Sequence, residues 1–215
     1  MVETVFLIGA GLFTISSIAF YSYYTLDKAS DKSKAQLREF NTPMLVSLVT
    51  LVSYIVMYIG DYVVEMNGET IYYTRWFFYA FSCALLMYEI SKKLGFNAEK
   101  RANSIYLTVV VMLVGMLTAI TTGAYQWLFF TISSFAFIAV AFEIFSARPK
   151  GLIKSNKEEI KQIRIYVGFF WFLFPVVFLI SPTMFALVPV AIAQGLYLIL
   201  DLITKILFYI TLDAE

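Results

Sequence analysis

The chain has 215 residues, 60% of them hydrophobic and only 14% charged, with a mean hydropathy of +0.78. Soluble domains average about 45–50% apolar and about 25% charged residues, so a water-soluble globule, a disordered chain, a collagen and a coiled coil are all excluded. The net charge of +1 makes no case for a nucleic-acid partner, the absence of His removes His-ligated metals and His-based catalysis, and one Cys closes no internal disulfide.

What remains is a multi-pass protein embedded in membrane lipid, expected to be all-α and to form one domain over residues 1–215. A bilayer core needs about 20 apolar residues per helix. Seven stretches meet this, at residues 5–25, 43–65, 72–91, 104–123, 125–147, 163–181 and 186–211. The first is too long for a signal peptide, lacks a basic leader and runs on towards further spans, so it is expected to be retained. The connections at Thr122-Gly123-Ala124 and near Ser181-Pro182 are short, which makes the helices they join antiparallel neighbours.

Charge sets the expected orientation. Of the 16 Lys and Arg, four follow the first span (Lys28, Lys32, Lys34, Arg38) and four the third (Lys92, Lys93, Lys100, Arg101). Six more, Arg148, Lys150, Lys154, Lys157, Lys161 and Arg164, lie between the fifth and sixth spans or just inside the sixth. The intervening loops carry none. By the positive-inside rule the N-terminus is outside and the C-terminus cytoplasmic, in a cell membrane. Only Arg75 and Lys205 remain, both inside spans.

An ionisable group inside a span is costly and is read as functional by default. Asp61 and Glu143 sit near span ends, where solvation at the interface explains them. In the third span, at about 100° per residue, Arg75, Phe78, Ser82 and Glu89 fall on one stripe. It places a cation at the outer end, an aromatic ring and a hydroxyl at mid-depth, and a carboxyl near the cytoplasmic end. Solvation at the two interfaces is the plain alternative for Arg75 and Glu89. In the last span Asp201 and Lys205 are spaced i, i+4 and share a face. A buried lysine is a good amine for a Schiff base with an aldehyde, and Asp201 is placed to balance its charge. A simple buried ion pair is the alternative.

These residues together resemble the microbial rhodopsins, over essentially the whole chain. Asp201-x-x-x-Lys205 in the last of seven spans is similar to that family's retinal-lysine signature, and Arg75 to its arginine opening the third span. Trp171-Phe172-Leu173-Phe174-Pro175-Val176-Val177-Phe178 resembles its retinal clamp, with Phe at two aromatic places. The resemblance implies all-trans retinal bound covalently at Lys205. It implies a pocket of Trp171, Phe174, Pro175 and Phe178, with Met112, Phe130 and Ser133, and with Tyr79, Ser82 and Cys83 from the third span. It implies that Tyr54 hydrogen-bonds Asp201, and a homotrimer. Phe174 stands where relatives carry a tyrosine that bonds the aspartate, so fewer phenol donors are expected around Asp201.

The family's outward proton pumps carry an acceptor Asp, a Thr and a carboxylic donor where this chain has Phe78, Ser82 and Glu89. Phenylalanine accepts no proton. The Phe-Ser-Glu triad looks like that of schizorhodopsins, which implies a light-driven inward proton pump and not an enzyme. Asp201 is then the counterion, Glu89 draws the proton inward, and reprotonation comes from outside past Arg75. The alternatives are a photosensor signalling without transport, a retinal-free transporter and an outward pump. With about ten residues after Lys205, no fused signalling domain is expected.

Overall fold

The computed structural model describes residues 1–29, 41–147 and 154–213. Of the basic residues used above, Lys32, Lys34, Arg38, Arg148 and Lys150, and the side chains of Lys28, Lys154 and Lys157, lie outside what is described. Among the described residues seven helices form a bundle. They are α1 (Val2–Ala29), α2 (Thr42–Ile59), α3 (Thr74–Lys93), α4 (Ala98–Ile120), α5 (Gly123–Ser146), α6 and α7. Helix α6 starts as Lys154–Ile165, widens into a π-helical turn at Tyr166–Trp171 and continues as Phe172–Ile180. Helix α7 does the same, as Val190–Asp201, a π-turn at Leu202–Leu207, and Phe208–Asp213.

Local signals explain several helix ends. The Asn41 side chain accepts from the Met44 N–H at 3.2 Å to start α2, with Pro43 in its first turn. Asn97 caps α4 in the same way, through the Lys100 N–H at 2.8 Å. Helix α2 stops at Gly60, whose φ of 80° is left-handed backbone that suits glycine.

The second span read from sequence therefore ends earlier than residue 65, and Asp61 lies beyond the helix, exposed. The chain instead forms a hairpin, β1 (Val64–Met66) antiparallel to β2 (Glu69–Ile71), an addition to the all-α expectation. Its turn is Asn67-Gly68, both at positive φ, the dipeptide that favours tight hairpin turns. Asn67 Nδ2 also donates to the Pro182 carbonyl at 3.0 Å, tying the hairpin to the α6–α7 connection. That connection is longer than expected, since α7 begins at Val190. Glu143, read as solvated, is half-buried and accepts a hydrogen bond from Ser104 across the α4–α5 contact.

Six of the helices are long and apolar enough to cross a bilayer; α3 is not. Helix α3 holds Arg75, Glu89, Lys92 and Lys93 and buries its polar side chains at the bundle centre, among them Arg75, Tyr79 and Ser82. The outer helices instead turn Leu7, Ile15, Phe135 and Phe142 outwards, towards lipid. Lipid tails are as apolar as Leu, so close packing and polar contacts rather than the hydrophobic effect hold such helices together. The bundle has a basic end, where α3 finishes and α4 starts (Lys92, Lys93, Lys100, Arg101), and a hairpin end opposite.

Candidate functional site

The centre of the bundle is built around α7. Asp201 and Lys205 are both fully buried, with Lys205 Nζ 2.8 Å from Asp201 Oδ1. The pair is close but not aligned as a hydrogen bond: neither atom has a partner at hydrogen-bonding geometry. Lys205 lies within the π-turn Leu202–Leu207, one turn after Asp201. The Tyr79 ring lies under the amine, 3.7 Å from Nζ to the ring centroid, a cation–π contact out of water.

The other carboxylate oxygen of Asp201, Oδ2, accepts from Tyr54 Oη at 2.8 Å, Tyr79 Oη at 2.6 Å and Arg75 Nη1 at 3.1 Å. Two phenols thus serve Asp201. The expectation of fewer phenol donors is corrected, because Tyr79 reaches in from α3 with Phe174 packed edge-on against it at 5.8 Å. Arg75 is 1% exposed and is no interface anchor. Its Nη2 donates to Gln194 Oε1 at 2.6 Å, and its Nη1 also reaches Tyr79 Oη at 2.9 Å. Sequence reasoning missed Gln194 as a partner. Its spacing of seven from Asp201 puts both on one face of α7 and was the available signal.

A cavity of about 310 Å³ runs from Lys205 between α3, α4, α5 and α6. The expected pocket residues Tyr79, Cys83, Met112, Phe130, Ser133, Trp171, Phe174, Pro175 and Phe178 all line it, as do Trp76 and Gly115. The Trp76 ring packs over Gly115, where a Cβ would stand at an ordinary contact distance of 3.6 Å from Trp76 Cε3. Tyr54 and Asp201 stand behind the amine instead. Ser82 does not line the cavity; it is buried, and its hydroxyl has no hydrogen-bond partner. Phe78 also lies off the cavity, half-buried and edge-on to Phe77. Of these α3 residues Tyr79 and Cys83 share the cavity with Lys205 and Arg75 meets Asp201, while Glu89 is half-buried towards the basic end, 3.5 Å from the Thr42 hydroxyl.

The cavity tests well as a retinal site. It is almost wholly apolar and walled by aromatic rings, and among the described residues Lys205 is its one amine, beside a carboxylate. Trp76, Trp171, Phe174 and Phe178 would hold the polyene and Lys205 its aldehyde carbon.

Tyr54 reaches Asp201 only because α1 lets its ring lie flat. The ring stacks on Phe13 at 5.7 Å and presses on the backbone at Gly9, where a Cβ would come within 2.5 Å of Tyr54 Cδ1. Gly9→Ala should therefore push the Tyr54 ring off its bond to Asp201. The expected result is a shift of the visible band in the same direction as Tyr54→Phe, with about 1–3 kcal/mol of lost stability from overpacking. Absorption spectra and thermal bleaching of the three proteins check this; a wild-type band in Gly9→Ala would show that the ring can move without releasing the carboxylate.

Comparison with known proteins agrees with this geometry. The model of the bacteriorhodopsin-like protein family matches residues 1–213. The structure of schizorhodopsin 4 is similar with a TM-score of 0.85 and 34% identity, covering 100% of both chains. The thermophilic rhodopsin of Rubrobacter xylanophilus has a TM-score of 0.89 at 21% identity, covering 100% of this chain and 95% of that one. Sensory rhodopsin-2 of Natronomonas pharaonis is 27% identical over 192 residues, 86% of this chain and 79% of that protein. With a buried lysine paired to an aspartate at the end of an aromatic slot, the chain belongs to the bacteriorhodopsin-like family of microbial rhodopsins, multi-pass membrane proteins that carry retinal on a lysine and act as light-driven pumps or sensors rather than enzymes.

Proposed function

We propose that the protein moves protons into the cell when illuminated, with the hairpin end outside and the basic end cytoplasmic. The observation that carries this reading is the asymmetry about Lys205. On the hairpin side its neighbours are a carboxylate locked by Arg75, Tyr54 and Tyr79, and α3 offers no second carboxylate there. On the basic side Glu89 stands at the bundle wall beside Thr42. The likeness to schizorhodopsin 4 supports the same direction.

Retinal, when bound, supplies light-driven isomerisation that re-aims the proton-bearing nitrogen of Lys205. The residues do the rest. Asp201 balances the charge on Nζ, and Arg75 keeps Asp201 occupied and repels a proton leaving towards the hairpin end. Ser47, Thr50 and Ser53 on α2 and Ser82 on α3 are buried hydroxyls. They provide donors and acceptors along the route towards Glu89, whose carboxylate attracts the proton. Trp76, Trp171 and the aromatic walls exclude water from the remainder of the slot. Return of a proton to Lys205 Nζ comes from the hairpin side, along Gln194 and Arg75. The trimer that the resemblance implies belongs to the same proposal.

The test is external pH under illumination of cells expressing the protein with retinal. It should rise, and a protonophore should abolish the rise. Glu89→Gln keeps the shape, removes the negative charge, and should cut the initial rate at least about tenfold, a barrier change of about 1.4 kcal/mol, with the visible band retained. External acidification by the wild type would overturn the inward direction. Full transport by Glu89→Gln would remove Glu89 from the path. The similarity to sensory rhodopsin-2 supports signalling as the second reading; a coloured protein that changes no pH would favour it.

A further inference from the structure

We propose that Asn67 and Gln126 latch the connection between α6 and α7 over Arg75, and that this latch sets how readily water and protons from the hairpin end reach Asp201 and Lys205. The connection, residues 181–189, crosses the hairpin end of the bundle. Its inner edge, Ser181-Pro182-Thr183, is buried, and its outer edge carries Phe185 and Leu187, 52% and 69% exposed. The same inner edge lines a cavity of about 20 Å³ together with Arg75 and Gln194. That volume has room for about one water. Arg75 in turn holds Asp201 at 3.1 Å. One short segment therefore lies between the exposed surface and the side chains that serve the carboxylate.

Two side-chain amides hold the segment down, on consecutive carbonyls. Asn67 Nδ2 in the hairpin turn donates to the Pro182 carbonyl at 3.0 Å, and Gln126 Nε2 on α5 donates to the Thr183 carbonyl at 2.7 Å. Gln126 Nε2 also reaches the Thr118 carbonyl of α4 at 3.4 Å, so its two N–H groups join α4 to the segment. Among the described residues, the segment's backbone hydrogen bonds run within it and to α6 and α7. Examples are Ala186 N–H to the Ser181 carbonyl and Leu187 N–H to the Ile180 carbonyl, both at 2.9 Å. None crosses to the hairpin or to α5. Across those contacts the amides do the fastening, with the Trp127 ring against Phe185 at 5.7 Å beside them. Ala186 has a φ of 51°, left-handed backbone that a residue with a Cβ adopts at a cost, so the shape of the segment draws on what holds it.

Surface segments open locally, and access to what they cover follows the population of the open form. Each fastening lost multiplies that population. Asn67 and Gln126 line neither cavity, so they are positioning residues that act through the connection. The inference rests on the proposed function in one respect, that the returning proton enters at the hairpin end. There the latched segment is the barrier it crosses before Gln194 and Arg75.

The experiment adds hydroxylamine in the dark to the retinal-bound protein in lipid nanodiscs and follows loss of the visible band. This small water-soluble nucleophile takes retinal off the lysine, so its rate reports access to Lys205 and needs no transport. Asn67→Asp and Gln126→Glu keep the side-chain shape, and Asp tolerates the left-handed turn position, but each sets an acceptor against a carbonyl. Each should bleach at least about threefold faster than the wild type, with the starting band and the thermal bleaching rate without hydroxylamine unchanged. Thr70→Val, which breaks the hairpin's own bond from Thr70 to Glu65 and leaves the latch alone, should match the wild type. Wild-type rates in both latch variants would overturn the proposal. So would an equal acceleration in Thr70→Val or a matching rise in thermal bleaching, since either means general loosening. Should Gln126→Glu fail to fold, Asn67→Asp decides alone, and a wild-type rate in it overturns the latch. External acidification under illumination would sink the direction of pumping alone, because bleaching reads access whichever way protons move.

Discussion

Lys205→Ala leaves the protein colourless when all-trans retinal is added. Among the described residues Lys205 is the only amine lining the cavity, and it is 1% exposed. Alanine removes the nucleophile and most of the side-chain volume without altering the aromatic walls. Breaking a buried ion pair usually costs about 3–5 kcal/mol, because the partner is left uncompensated. Here Asp201 keeps Arg75 at 3.1 Å and both phenols, so the variant should still fold and insert. The measurement is the absorption spectrum of purified protein after retinal addition, with circular dichroism to confirm the helices. A visible band of normal intensity would place the chromophore on another residue.

Asp201→Asn moves the band into the near ultraviolet at neutral pH. An ionised aspartate presents acceptor lone pairs on two oxygens, and both are used here: Oδ2 by three donors, Oδ1 facing the amine. An asparagine has one acceptor oxygen and one NH₂ donor. If its oxygen stays with Tyr54, Tyr79 and Arg75, its NH₂ faces Lys205 Nζ, and two donors meet at about the former 2.8 Å. If it flips, the NH₂ meets the guanidinium and phenol donors instead. In either pose the positive charge loses its carboxylate in a site shielded from water, where Tyr79's ring is a weak substitute. The proton then leaves the Lys205 nitrogen, and acidification should bring the visible band back. A visible band unchanged at neutral pH would show that another anion balances the charge.

Much of this was legible in one dimension. Seven apolar stretches and the i, i+4 pair of Asp201 and Lys205 follow from periodicities fixed by helix geometry, which needs no neighbours to operate. Arg75 and the aromatic run Trp171–Phe178 are likewise features of single helices. The turn Asn67-Gly68 is equally local, but the apolar residues just before it, Tyr62, Val63 and Val64, extend the hydropathy of the second span past the end of its helix at Ile59. What only the tertiary structure decided are relations between helices. The rotation of α3 turns Tyr79 and Cys83, rather than Phe78 and Ser82, towards Lys205. Tyr79 replaces the phenol that Phe174 lacks, because its Oη reaches a carboxylate 122 positions away in sequence. Gln194 becomes the partner of Arg75, and Gly9 the platform for Tyr54, across interfaces whose register no single strip of sequence encodes. Sequence fixes which face of a helix is polar; the angle at which seven such helices settle against one another depends on the volumes of all the side chains between them, and that angle selects the residues that meet.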